Sequence, residues 1–163
     1  MTSRSREQKE DQTSMNALID TNVILDGILE RVPNADAAQK INQFVVDGHI
    51  DGYLTANCLT DIFYIVSKNL GGFIAKKIIK NLLVSFSVVS VDGDDCLRAV
   101  DFPMQDFEDA LVVVCAEKAA LSYIVTNDKE FLREVESSIT TVTPADFVSI
   151  VLKAKIPSSG RTR

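Results

Sequence analysis

The chain has 163 residues, 46% of them hydrophobic and 25% charged, with a net charge of −6. That length and apolar content fit one domain with its own core and leave little room for a second. A strongly basic nucleic-acid binder is excluded: residues 16–152 hold 10 basic and 20 acidic side chains, a surface suited to a basic protein partner or a metal ion.

No apolar run approaches the ~20 residues of a membrane span. Residues 1–15 are polar and lack the apolar segment of a secretory signal. The cysteines, Cys58, Cys96 and Cys115, form no CxxC pair and read as reduced thiols of a cytoplasmic protein. His49 is the single histidine, which argues against an imidazole zinc site and leaves one base for a Ser-His-Asp triad.

In chain order, residues 1–15 read as a disordered tail. "ALID", Ala17–Asp20, is a short apolar strand, and "VILDGILERV" after it has helical spacing. "ADAAQKINQFVVDG" is a second helix stopped by Gly48, and "GYLT", Gly52–Thr55, a second strand. Helices are predicted over Ala56–Gly72 and over "FIAKKIIKNLLVSF", where Ile74, Ile78, Ile79, Leu82 and Leu83 oppose Lys76, Lys77 and Lys80. "SVVSV", Ser87–Val91, is a strand, Asp94–Val100 a helix and Phe107–Ala120 another. "SYIVT", Ser122–Thr126, is a strand; a short strand and a helix starting near Pro144 close the fold. The basic stretch 154–163 reads as a second tail. Strands alternating with helices predict an α/β fold with a parallel sheet covered by helices, in a single domain over 16–153.

Four acids stand out. Asp20 closes the first strand. Either it caps the next helix, as Asn22 also can, or it faces a site outside the carboxyl ends of the strands. Asp61 lies mid-helix in "CLTDIFYIV", where Cys58, Tyr64 and Ile65 make its face largely apolar, so it is no cap. Its plain alternative is a buried ion pair or hydrogen bond. Asp109 shares a face with Val112, Val113 and Ala116, while Asp106, three residues earlier, is the expected cap and Glu108 an exposed acid. Asp128 follows "YIVTN" at another strand end, where a turn or cap is the alternative; Glu130 reads as solvated. Carboxylates converging on one edge repel one another, and an oxygen-only ligand set that resolves the repulsion suits Mg²⁺ or Mn²⁺.

"LIDTNVILD", "LTDIFYIVSK", "DFEDALVVVCA", "YIVTNDKEF" and the closing "VTPADFV" resemble, in order and spacing, the motifs of the PIN domain, a family of metal-dependent nucleases. Many are ribonuclease toxins of bacterial toxin–antitoxin modules, the virulence-associated protein C type. The resemblance implies a three-layer α/β/α sandwich around a short, mainly parallel central sheet. It places the family's acids on Asp20, Asp61, Asp109 and Asp128, with Asp20, Asp109 and Asp128 as metal ligands. Asn22 and Thr126 become supporting residues, and Glu130 a rival to Asp128. Asp61 departs from the Glu that many members carry. The implied reaction is Mg²⁺- or Mn²⁺-dependent hydrolysis of RNA phosphodiester bonds, leaving a 5′-phosphate and a 3′-hydroxyl. The implied partners are an RNA substrate, an antitoxin protein and a second copy in a homodimer. Lys76, Lys77 and Lys80 are candidates for holding the RNA backbone, against a solvated helix face; Lys129 and Arg133 stand the same way.

Rival classes fare worse. A haloacid-dehalogenase-like phosphatase needs a second Asp two residues after the first, and Asn22 stands there. A receiver domain needs paired acids that the N-terminal segment lacks, and no GxxxxGK appears for a P-loop. A noncatalytic PIN-like module that binds RNA or protein is the remaining alternative.

Overall fold

A computed structural model describes residues 14–155. Five strands form one sheet: β1 (Met15–Ile19), β2 (Ile50–Thr55), β3 (Ser87–Val89), β4 (Tyr123–Val125) and β5 (Thr140–Val142). Eight helices connect and flank them among the described residues: α1 (Thr21–Ile28), α2 (Ala35–Val46), α3 (Ala56–Leu70), α4 (Gly72–Ser85), α5 (Gly93–Val100), α6 (Phe107–Lys118), α7 (Lys129–Glu134) and α8 (Pro144–Lys155). The strand order is β3-β2-β1-β4-β5, and every pairing is parallel. The tail expected before residue 16 gives way to β1 at Met15, and the closing helix runs to Lys155. The rest of both expected tails lies outside the described residues.

A parallel strand covered on both faces must be apolar throughout rather than alternating. β1 meets that condition, with Ala17, Leu18 and Ile19 at 0–1% exposure. Successive residues feed two separate cores. Ala17, Ile19 and Val125 pack with buried residues of α1–α4 and α8 on one face. Leu18, Ile124 and Val89 pack with those of α5–α7 on the other. The result is the helix-covered parallel sheet that the alternating elements predict, in the three-layer α/β/α form that the resemblance implies.

The strand order positions the site. From β1 the chain winds outward through β2 to β3, then returns to add β4 and β5 on the other side of β1. The winding direction reverses between β1 and β4. Loops leaving the carboxyl ends of those two strands diverge to opposite faces and open a crevice there, where open α/β sheets hold their ligands.

Two local differences from the sequence reading have plain causes. α7 is not legible in advance, because Phe131 is its single buried residue and six residues carry no periodicity. The first helix stops at Ile28 rather than Val32, and Glu30 adopts a left-handed backbone with φ 53° just beyond it.

Gly52 on β2 lies in close contact with Val45 of α2 and with Phe86, which follows α4. A Cβ there would lie 2.7 Å from Phe86 ring carbons and 2.7 Å from Val45 Cγ2. Gly52→Ala therefore overpacks this face at about 1–3 kcal/mol, and melting temperature falls by about 2–4 °C per kcal/mol in a chain of this size. Thermal denaturation of the variant beside the parent checks this; an unchanged midpoint would show that Phe86 yields freely.

Candidate active site

Asp20 follows β1 and is 8% exposed. It holds the N-cap position of α1, yet its side chain makes no cap bond to the helix. Its Oδ2 instead accepts the Thr126 hydroxyl at 2.8 Å, joining the ends of β1 and β4. Thr126, fully buried, also accepts the Asp128 backbone N–H at 3.0 Å. The Asp128 Oδ1 accepts the Glu130 and Phe131 N–H groups at 2.8 and 3.1 Å, so this acid is indeed the cap of α7. Asp106 caps α6 as expected, its Oδ1 accepting the Asp109 N–H at 3.0 Å.

Six carboxylates from four parts of the chain line one cavity of about 290 Å³: Asp20, Asp61, Asp106, Glu108, Asp109 and Asp128. Asn22, Thr21 and Tyr64 share its wall, and no lysine or arginine lines it. Of the sequence-derived set, Asp20, Asn22, Asp61, Asp109 and Asp128 come together here. Thr126 sits beneath them on Asp20. Glu130 is exposed and does not line the cavity, whereas Asp128 does. Lys76, Lys77 and Lys80 lie exposed on α4, and Lys129 and Arg133 exposed on α7, all outside this wall. A larger groove of about 610 Å³ between α1, α2 and α4 has no carboxylate in its lining.

One sequence expectation needs correction. The face of Asp61 is not an inward apolar one. Asp61 is half-buried and its neighbour Tyr64 is 59% exposed, so the acid looks across the cavity rim. Glu108 is exposed as expected, and it also lines the cavity, where the charge of Asp61 acts on it. Only the approach of α3 to the start of α6 brings Glu108 in, and no spacing in the sequence carries that approach.

Burial drives the electrostatics. Desolvation pushes the Asp109 pKa up to about 7, with the charges of Asp106, Asp128, Asp20 and Glu108 adding to it. Desolvation also raises Asp20, opposed by the Thr126 hydrogen bond and helped by Asp128 and Asp26. Glu108 is raised by desolvation, then by Asp61 and Asp20. Cys58 lies buried beneath the site, and desolvation pushes its thiol up to about 12, which makes it an inert core thiol.

All donors in the wall are oxygens, the chemistry of a hard divalent cation. Among the described residues no three His, Cys, Asp or Glu stand close enough to hold an ion between them. No described helix is long and apolar enough to cross a membrane.

The model of the PIN domain family matches residues 16–130. The chain belongs to the PIN domain family. No curated protein matches it. Among solved structures, PAE2754 from Pyrobaculum aerophilum is similar at 17% identity and a TM-score of 0.60, over 92% of this chain and 99% of that one. VapC20 of Mycobacterium tuberculosis, a sarcin-ricin loop cleaving toxin, is similar at 13% identity and a TM-score of 0.60, over 76% and 98%. A toxin–antitoxin complex from Klebsiella pneumoniae contributes a chain similar at 17% identity and a TM-score of 0.59, over 78% and 97%. At these identities the likeness is one of fold.

The raised acids set a pH dependence. An ordinary Asp titrates near 3.9, and Asp109 in the fold titrates at about 7. The folded chain holds this proton more tightly than the unfolded one. The fold therefore loses stability as pH rises from about 4 through about 7, and the loss is complete above that window. In chelator, the melting temperature is expected to be higher at pH 5.5 than at pH 8, and Asp109→Asn to raise the pH 8 value and flatten the difference. Calorimetry at the two pH values checks this; a variant less stable than the parent at pH 8 would mark Asp109 as structural.

Proposed function

We propose that this protein is a Mg²⁺- or Mn²⁺-dependent endoribonuclease, the toxin of a toxin–antitoxin pair. The observation that carries this is the cavity of six carboxylates without a lysine or arginine, at the switch point of the sheet. Family membership and the likeness to chains described as toxins support it.

Asp20, Asp109 and Asp128 are the proposed metal ligands, with Asp61 and Glu108 completing the anionic wall. A divalent cation would offset the mutual repulsion of these acids. Asp20 offers the carboxylate oxygen not used by Thr126, and Asp128 the one not used in capping α7. Thr126 fixes the Asp20 carboxylate, and Asn22 is placed on the wall to reach a phosphate oxygen or a water. When bound, the cation supplies Lewis-acid stabilisation of phosphate charge and a more acidic water. The acids would hold it, would orient a water through their free oxygens and would repel anions that arrive without it. His49 is no part of the cavity, so no imidazole base enters the reading.

The antitoxin is proposed to present a basic side chain to this acidic wall, where complementary charge favours it. Exposed Phe73, Ile74 and Leu70 on the α3–α4 hairpin are apolar surface of the kind that an antitoxin or a second copy in a homodimer covers. A second reading, a noncatalytic PIN-like module, is favoured by one observation: no three of the acids yet stand close enough to hold an ion.

Incubation with a mixed RNA pool separates the two. The expected result is cleavage that needs Mg²⁺ or Mn²⁺, stops with chelator and falls to background in both Asp20→Asn and Asp109→Asn. Absence of cleavage together with absence of any metal-induced rise in melting temperature would overturn the nuclease and leave the module.

A further inference from the structure

Beside the acidic wall lies a buried carboxylate that the proposed chemistry does not use. Asp26, on α1, is 6% exposed. Its Oδ2 accepts the Asn127 side-chain N–H at 2.8 Å, while the Arg31 guanidinium stands 3.8 Å from its Oδ1 on a side chain 43% exposed. Neither Asp26 nor Asn127 lines the cavity. A buried carboxylate with one close neutral donor is a costly way to fill a helix face, where Leu would pack without desolvation loss.

The location of its partner gives Asp26 a task. β4 ends at Val125, and the last ladder-like bonds run from Asp20 N–H to Val125 O at 2.9 Å and from Thr126 N–H to Val142 O at 3.0 Å. From there to α7 the turn 126–128 is anchored to α1 by side chains. One anchor is Thr126 on Asp20, a carboxylate that itself faces the cavity. The other is Asn127 on Asp26, neither of which lines the cavity. The second anchor therefore uses no carboxylate of the cavity wall. Asp128 is the next residue, and one of its oxygens is committed to α7, so its free oxygen lies wherever the turn lies.

We propose that Asp26 is a positioning residue: through its hydrogen bond to Asn127 it fixes the turn 126–128 and so holds the Asp128 carboxylate on the cavity wall. This rests on the metal site proposed above. Orientation of a ligand by a partner one shell out is worth about 10–100-fold in metal affinity in known sites, and the same order is expected here. The long-range pairing, 101 residues apart in sequence, ties the first helix to the turn after the fourth strand.

The test uses the full chain and the variants Asp26→Leu, Asn127→Leu, their double, and Asp26→Asn, whose side-chain oxygen can still accept from Asn127. Two readouts are taken without RNA: Mn²⁺ affinity by electron paramagnetic resonance, and amide exchange of residues 128–131 in chelator. The expected result is that either leucine variant loses about tenfold in Mn²⁺ affinity, the double is no worse than a single, and Asp26→Asn stays near the parent. Exchange at 128–131 is expected to quicken in both leucine variants while α2 and α8 keep their protection. Faster exchange with unchanged Mn²⁺ affinity would overturn the inference, leaving Asp26 as fold support. Unchanged exchange would overturn it outright. If the parent itself binds no Mn²⁺, the function proposed above fails, and exchange alone then decides whether Asp26 fixes the turn.

Discussion

The hydrogen bond from Thr126 to Asp20 is the contact on which the site depends. It crosses between the ends of β1 and β4, the two strands where the winding of the sheet reverses. It adds a side-chain tie to the backbone bond from Asp20 N–H to Val125 O at 2.9 Å. With it, the acid after β1 and the turn after β4 form one surface, onto which α3 and α6 bring Asp61, Glu108 and Asp109. The bond also stabilises the ionised form of Asp20 against the desolvation that raises its pKa.

That arrangement is a stored electrostatic cost. Asp20, Glu108 and Asp109 are all raised, and burial is the leading cause in each, with neighbouring acids adding to it. Elsewhere the chain handles charge differently. Asp95, less exposed than Asp20, is paired with Lys118 and closes the capping box of α5, and the Lys118 hydrogen bond lowers its pKa. Two buried aspartates in one fold thus differ: one is paired with a lysine and lowered, the other has no cation beside it and is raised. A protein can place a lysine beside a buried acid, and this one does so away from the switch point only.

The layering was legible in the sequence because parallel strands and amphipathic helices write different periods. "ALI" in β1 and "YIV" in β4 are short apolar runs, and the helices between them repeat at three and four residues. The acids at strand ends were legible for the same reason: Asp20 and Asp128 stand where an apolar run stops. Asp61 and Asp109 were visible as acids inside apolar helices, though the outward tilt of Asp61 was not, since Tyr64 reads as core by composition and is surface by position. Glu108 and Asp26 were hidden. Each acts through a contact across the fold, Glu108 with Asp61 and Asp26 with Asn127, and helix spacing holds no record of which helices meet. α7 was hidden because its start is fixed by Asp128 capping rather than by an apolar stripe.

Asp128 joins these threads. As a cap it secures the start of a six-residue helix, and as a wall residue it faces the cavity. A carboxylate can do both, because it has two oxygens and capping uses one. The same is true of Asp20, with one oxygen given to Thr126. In the proposed site the ligand oxygens are thus the free halves of carboxylates whose other halves are locked into the fold. Rigidity then comes from hydrogen bonds that exist before any ion arrives, and the ion need only close the remaining gap between the acids. A basic side chain from a protein partner would meet the same free oxygens and lower the same repulsion. Cation and basic partner are alternatives at one wall, and occupancy by either removes the reason for the other to bind.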